Sequence, residues 1–389
     1  PFLLTAGFAG LSRGDSALRL RQECRAAASL GHAPGSAFLR VVVQPLLKQL
    51  RWPLVIVFVY GATVVDMALV LGPTQPPTLG VVIWQALNHA DAMVNAMGLA
   101  MTLLLTAALA AMLLIAAMLM RGAQAAWQRL LAAGPSLLGA PRAGAVVSGL
   151  AVFLILVMAL FVLAVLSLSP RWPYPAVLPP AASLSAWTGM TLAPLWLSLS
   201  LAIATAGAAL ALAVLWFETQ APARDPWVTG VALAALAVPQ LASAGGQYRL
   251  FLPLGLTGTW AGLFTAHLTP VAAYVLIALQ GPYRAFDGRY VATARALAAS
   301  PGRAWLRVKL PLLKAPLLAA AAIGFAVSMA QYVPAQLIAA GRFSTLPMEA
   351  VTLASGGDRP LTAAFALALA VPPLAAFLAA ALLGRPRWH

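Results

Sequence analysis

Eight times along this 389-residue chain a run of about twenty apolar residues recurs. About twenty residues is what a helix needs to cross the hydrocarbon core of a bilayer. Backbone polar groups find no water in lipid, so only helices and closed barrels span it. The runs are 53–73, 94–120, 145–168, 188–217, 228–246, 259–281, 316–340 and 361–384. Residues 1–11 are apolar but too short to cross, and read as the tail of a further span. Barrel strands alternate apolar and polar residues in segments of about ten, whereas these runs are continuous and rich in Ala and Leu. Only 8% of the residues are charged, against about 25% in a soluble domain. That excludes a soluble globular fold, a disordered chain and a nucleic-acid-binding domain, despite a net charge of +15. The single cysteine, Cys24, excludes a disulfide framework and any CxxC metal site. The expected fold is an all-α integral membrane protein, a polytopic helix bundle of about eight complete transmembrane helices plus the partial N-terminal one.

The positive charges fix the orientation. Segments 12–52, 121–144, 218–227, 282–315 and 385–389 hold 20 of the 24 Lys and Arg residues. The alternating set, 74–93, 169–187, 247–258 and 341–360, holds only Arg171, Arg249, Arg342 and Arg359. Basic loops stay on the cytoplasmic side, so the first set is expected there. The opposite face carries Trp172-Pro173-Tyr174-Pro175, as interfacial aromatic anchors do.

The two longest basic loops resemble each other. One reads CRAAASLGHAPGSAFLRVVVQPLL over 24–47, the other VATARALAASPGRAWLRVKLPLL over 291–313. Placing Pro34 on Pro301, an offset of 267, brings Leu30, Gly35, Leu39 and Arg40 onto Leu297, Gly302, Leu306 and Arg307. The first loop holds one more residue before its second proline, Pro45 against Pro311. Each leads into a span followed by a Thr-Leu pair, Thr78-Leu79 and Thr345-Leu346. This reads as an internal duplication, two parallel repeats of the kind found in transporters. The expected organisation is a first half over 1–120, a cytoplasmic linker over 121–144 and a second half over 145–389. The offset sets residue 1 opposite residue 268, inside a span, so the first half is expected to be truncated at its N-terminus.

Each repeated loop reads as helix, break, helix. In the second, 288–297 forms a helix, Ser300 suits an N-cap and Pro301 the first position of the next helix. Small residues at the break let another protein surface approach, and Arg295, Arg303, Arg307 and Lys309 surround it with charge. A basic loop that only sets topology is the plainer reading of either copy alone. Recurrence in register favours a docking element.

The pattern resembles the EAA loop of ABC importer permeases. Ala292-Thr293-Ala294 stands at the EAA positions, Ala298 at the Gly, Val308 at the Ile and Leu310-Pro311 at the LP pair. In the first copy Arg25-Ala26-Ala27 and Gly31 take the first two roles, and neither copy keeps the Glu. Two such loops in one chain are similar to the fused permeases of thiamine-type and ferric-iron-type importers. The resemblance implies alternating access powered by a separate, homodimeric ATPase, and a periplasmic solute-binding protein that selects the cargo. It implies ATPase docking at Arg25, Ala26, Ala27, Leu30, Gly31 and Pro34, and at Ala294, Arg295, Leu297, Ala298, Ser300 and Pro301 over loop 287–313. Thiamine or a related small solute is favoured, with ferric iron, phosphonate and polyamine open.

Asp66 lies inside an apolar run, where a carboxylate is costly and faces a cavity or partner. Its counterpart region is SMAQYVPAQL, where Pro334 can open the helix. A translocation pathway lined by Asp66, Gln331, Tyr332 and Gln336 is one reading, and an interhelical hydrogen bond is the other. His267 has no His or carboxylate at helical spacing, so packing or a hydrogen bond is its expected role, and no metal or cofactor site is expected. The three lysines, Lys48, Lys309 and Lys314, lie outside any GK[ST] phosphate loop, so the chain is not expected to be an enzyme. A polytopic membrane transferase would need clustered polar residues, and a secondary transporter several buried acids. The chain has nine acids in all, scattered.

Overall fold

The structure is a computed structural model that describes residues 54–132 and 142–384, apart from a few positions within them, and some helical positions between 22 and 29. Among the described residues every regular element is helical. They fall into two compact units, one of 1–62 with 103–161 and one of 63–102 with 162–389. The second unit holds most of the elements below. These are α1 (Asp66–Leu71), α2 (Leu79–Leu87), α3 (Ala92–Ala132), α4 (Arg142–Ser167), α5 (Ala193–Thr219), α6 (Asp225–Ala237) and α7 (Gln240–Phe251). Then follow α8 (Trp260–Arg284), α9 (Arg289–Ala296), α10 (Pro301–Ala304), a π-helical turn (Trp305–Lys309), α11 (Lys314–Met329), α12 (Val333–Ala339), α13 (Leu346–Gly356) and α14 (Arg359–Leu383).

Among the described residues five helices are long and apolar enough to cross a membrane: Ala92–Leu119, Leu150–Ser167, Ala193–Thr219, Trp260–Arg284 and Arg359–Leu383. Two bent pairs bring the number to seven if each pair is one span. Pro222–Ala237 meets Gln240–Phe251 at 99°, and Pro301–Leu312 meets Lys314–Met329 at 73°. The first bend falls at Val238-Pro239, where proline supplies no N–H to continue the ladder. Within the run 53–73, expected as one span, the described helix Val57–Val70 loses helical geometry at Val64 and Val65. Thr63, Val64 and Val65 are β-branched, which lowers helix propensity, and α1 restarts at Asp66.

A triple contact of α5, α8 and α11 is the core of the second unit. Small residues on α5, Ala202, Ala206, Ala209 and Ala213, are buried and let the neighbouring backbones approach. Val271, Val275 and Leu279 of α8 fill the space, with Leu317 and Ala320 of α11 and Leu313 just before it. Gly324 marks the tightest approach: a Cβ there would stand 2.7 Å from Val275 Cγ2 and 3.2 Å from Val271 Cγ1. By contrast, the apolar side chains of 150–162 are nearly all exposed, as on a helix solvated by lipid tails. α13 and α14 pack on each other and α14 on α11. Ser198 of α5 satisfies the first turn of α13, accepting from Leu346 N at 2.9 Å.

Candidate functional site

The basic loop of the second unit forms an ordered corner on the ends of α5, α6 and α8. The Asp287 carboxylate accepts from Arg289 N at 2.9 Å and so starts α9. That backbone bond, with the Arg289 guanidinium beside it, holds the Asp287 carboxyl below the usual range. α9 has no buried residue. After the break, Ser300 is extended and Pro301 opens α10, although the Ser300 side chain makes no cap hydrogen bond. The wide turn Trp305–Lys309 follows, then Leu310–Leu312, then the bend into α11.

Two polar knots hold this corner. In the first, Arg284 at the end of α8 grips Asp225 at the start of α6, Nε to Oδ2 at 2.6 Å and Nη2 to Oδ1 at 2.8 Å. The same guanidinium donates to the Phe217 and Gln220 carbonyls, each at 3.0 Å, which the end of α5 leaves open. Trp216 Nε1 adds a bond to Asp225 Oδ1 at 3.2 Å. In the second knot Glu218 Oε1 accepts from Trp305 Nε1 at 2.8 Å, Lys309 Nζ at 2.6 Å and the Tyr283 hydroxyl. The Lys309 ammonium lies 4.6 Å from the Tyr283 ring centroid and 5.6 Å from that of Phe286, within cation–π range. Beside these knots a cleft of about 430 Å³ is bounded by Phe217, Tyr283, Phe286, Arg295, Trp305 and Lys309.

Of the expected docking residues, Arg295, Leu297, Ser300 and Pro301 are exposed, and Ala294 is half-buried. Leu297 is 80% exposed, and Tyr290 and Leu306 also present large apolar groups outward. In the first copy Arg25, Ala26 and Ala27 are helical, and the Ser29 hydroxyl donates to Ala26 O at 2.8 Å. Leu30, Gly31, Pro34 and Ala298 lie outside the described residues.

The expected pathway residues come from separate elements, yet Asp66 and Tyr332 stand close enough to interact electrostatically. Gln331 and Tyr332 occupy the unwound link between α11 and α12, both buried, and Gln336 is half-buried on α12. Gln331 Nε2 donates to the His267 carbonyl at 3.1 Å, and Trp84 of α2 packs on Tyr332 at 5.7 Å between ring centroids. Asp66 is half-buried at the first turn of α1, which packs on α2 and α13. His267 Nδ1 is 3.0 Å from Ser328 Oγ, the hydrogen-bonding role expected of it. Among the described residues His267 Nε2 and Gln331 Oε1 are buried without a hydrogen-bond partner, and no group of His, Cys, Asp and Glu could hold a metal ion. The sequence reading passed over Glu218 and Asp225. Both are lone acids at span ends, opposite a loop with seven basic residues, which is the signal that could have found them.

The helices and this corner together define a polytopic all-helical membrane protein that presents a basic helix–break–helix element at one end of its spans. Over 360 residues, 92% of its length, the chain is 32% identical to the inner membrane ABC transporter permease protein YnjC of Escherichia coli K12. It spans 65% of that relative's length. Over 163 residues, 42% of the chain, it is 26% identical to the spermidine/putrescine transport system permease protein PotC of the same organism, spanning 61% of it. The PotC protein of Haemophilus influenzae is 25% identical over a stretch of the same length. No family model matches the chain.

Proposed function

We propose that this chain is the inner-membrane permease subunit of an ATP-binding-cassette importer, moving a small solute inward by alternating access. A separate ATPase docks on the basic loops, 287–313 and its counterpart 24–47, and a periplasmic binding protein delivers the solute. The observation that carries this reading is the corner at 289–313: an exposed helix, a break and a wide turn, leading straight into a bent span. Exposed apolar groups inside a basic loop, Tyr290, Leu297 and Leu306, suit a surface that another protein covers. The extended similarity to a relative named as an ABC transporter permease supports it.

Asp66, Gln331, Tyr332 and Gln336 line the pathway in this reading. The breaks at 64–65 and 331–332 lie 267 residues apart, the offset that relates the two basic loops. Unwound backbone at such depth is tolerated where protein or a water-filled cavity covers it. A carboxylate in that position favours a cationic solute, which describes both thiamine and the polyamines named for PotC, and disfavours a phosphonate.

Affinity purification of the tagged natural protein from its own cells tests the reading. A nucleotide-binding subunit should co-purify stoichiometrically, and Leu297→Asp should release it without lowering the amount of membrane-inserted chain. A purified chain that never carries such a subunit, in any mild detergent or native nanodisc, rejects the importer assignment.

A further inference from the structure

The segment 301–313 carries the proposed dock from its break into α11, and its polar anchorage converges on one atom. Among the described residues, both side-chain hydrogen bonds that leave this segment end on Glu218 Oε1, from Trp305 and from Lys309. Of the three described ion pairs, Arg284–Asp225 joins span ends and Arg289–Asp287 stays within the loop. Lys309–Glu218 alone joins the segment to a span. The same Glu218 oxygen accepts from Tyr283, so α5, α8 and the wide turn meet at a single carboxylate. Side-chain exposure is 17% for Lys309 and 34% for Glu218, so the pair is partly shielded from water and held at the mouth of the cleft.

Neither EAA-like loop carries the acid that the motif is named for: Ala292 and Arg25 stand in its place. A carboxylate nevertheless reaches the loop, from α5. We infer that Glu218 is a positioning residue for the dock: it locks the turn Trp305–Lys309 to α5 and α8, so that a push on the loop moves the spans rather than bending the loop. This rests on the docking reading above. The geometry supports a mechanical role over a merely adhesive one. Charge-assisted bonds are short and directional, and three donors from two separate elements leave the carboxylate little freedom to turn. Lys309 is also fixed from the opposite side by the Tyr283 and Phe286 rings. The turn itself has π geometry, a form frequent at functional sites.

Hydrogen exchange on the complete natural chain, co-expressed with its nucleotide-binding subunit and held in lipid nanodiscs, tests this. Glu218→Ala should speed exchange of amides 303–309 at least tenfold, because local opening sets that rate. Peptides within 196–212 and 263–279 should exchange as in the wild type. ATP turnover should persist while its stimulation by the reconstituted binding protein falls at least fivefold. Glu218→Gln keeps an oxygen acceptor for Trp305 and Tyr283 and should recover part of both effects. Trp305→Phe removes one N–H and should show the smallest change. Unaltered exchange at 303–309 in Glu218→Ala overturns the inference. So does faster exchange with stimulation at the wild-type level. A wild-type chain that retains no nucleotide-binding subunit, while Glu218→Ala still loosens the turn, instead overturns the docking reading.

Discussion

Arg284 and Asp225, 59 residues apart in sequence, form a two-pronged ion pair with N···O distances of 2.6 and 2.8 Å. The Asp225 side chain is 6% exposed. Removing one partner leaves the other charge shielded and unpaired, and it also frees the Phe217 and Gln220 carbonyls if Arg284 turns away. Asp225→Ala should therefore destabilise the protein by about 2–4 kcal/mol. Thermal unfolding in detergent, followed by circular dichroism, checks this. A midpoint within experimental error of the wild type would show the pair to be ornamental.

Gly324 sets a limit on helix approach. Gly324→Ala needs the Val275 methyl to move, since its Cγ2 lies 2.7 Å from the new Cβ. That atom belongs to a fully buried β-branched side chain with little rotamer freedom in a helix, so even this change should lower stability. Gly324→Leu must push α8 and α5 apart, at about 1–3 kcal/mol or more. The expected order of unfolding temperatures is wild type, then Ala, then Leu, with the larger step at Leu.

Gly302 is the site for testing orientation, because a side chain there meets nothing within 4 Å. With Cys24 replaced by Ser, a Gly302→Cys chain should resist a membrane-impermeant maleimide in intact cells and react once the cells are permeabilised. Rapid labelling from outside would invert the topology drawn from the 20 basic residues on one side.

Asp66 separates a pathway role from a packing role. Asp66→Asn keeps the shape and a hydrogen-bonding oxygen but removes the charge. If the solute is a cation drawn by that charge, uptake of radiolabelled thiamine or spermidine should fall at least tenfold while insertion and unfolding temperature hold. Wild-type uptake by Asp66→Asn would return the residue to a structural role.

The spans were legible because hydropathy depends only on run length and composition: five of the eight runs coincide with a straight apolar helix, while 228–246 and 316–340 fall on helices interrupted within the run. Their bends were less so. A window average carries no direction, and 228–246 scores as one span although Pro239 turns its two helices nearly perpendicular. The interruption before Asp66 had no Gly or Pro to announce it, only three β-branched residues in a row. In the basic loop, Pro301 opens its helix as its position foretold. The contacts of Glu218 were invisible because its partners lie 65, 87 and 91 residues further on. Such contacts exist only once α5 and α8 have packed.

The π turn at Trp305–Lys309 has a bearing on how such loops change over evolutionary time. Its i→i+5 bonding accommodates one residue more per turn than an α-helix of the same rise. A codon can be gained or lost there while the helices on either side keep their phase, so insertions and deletions of a single residue need not be purged.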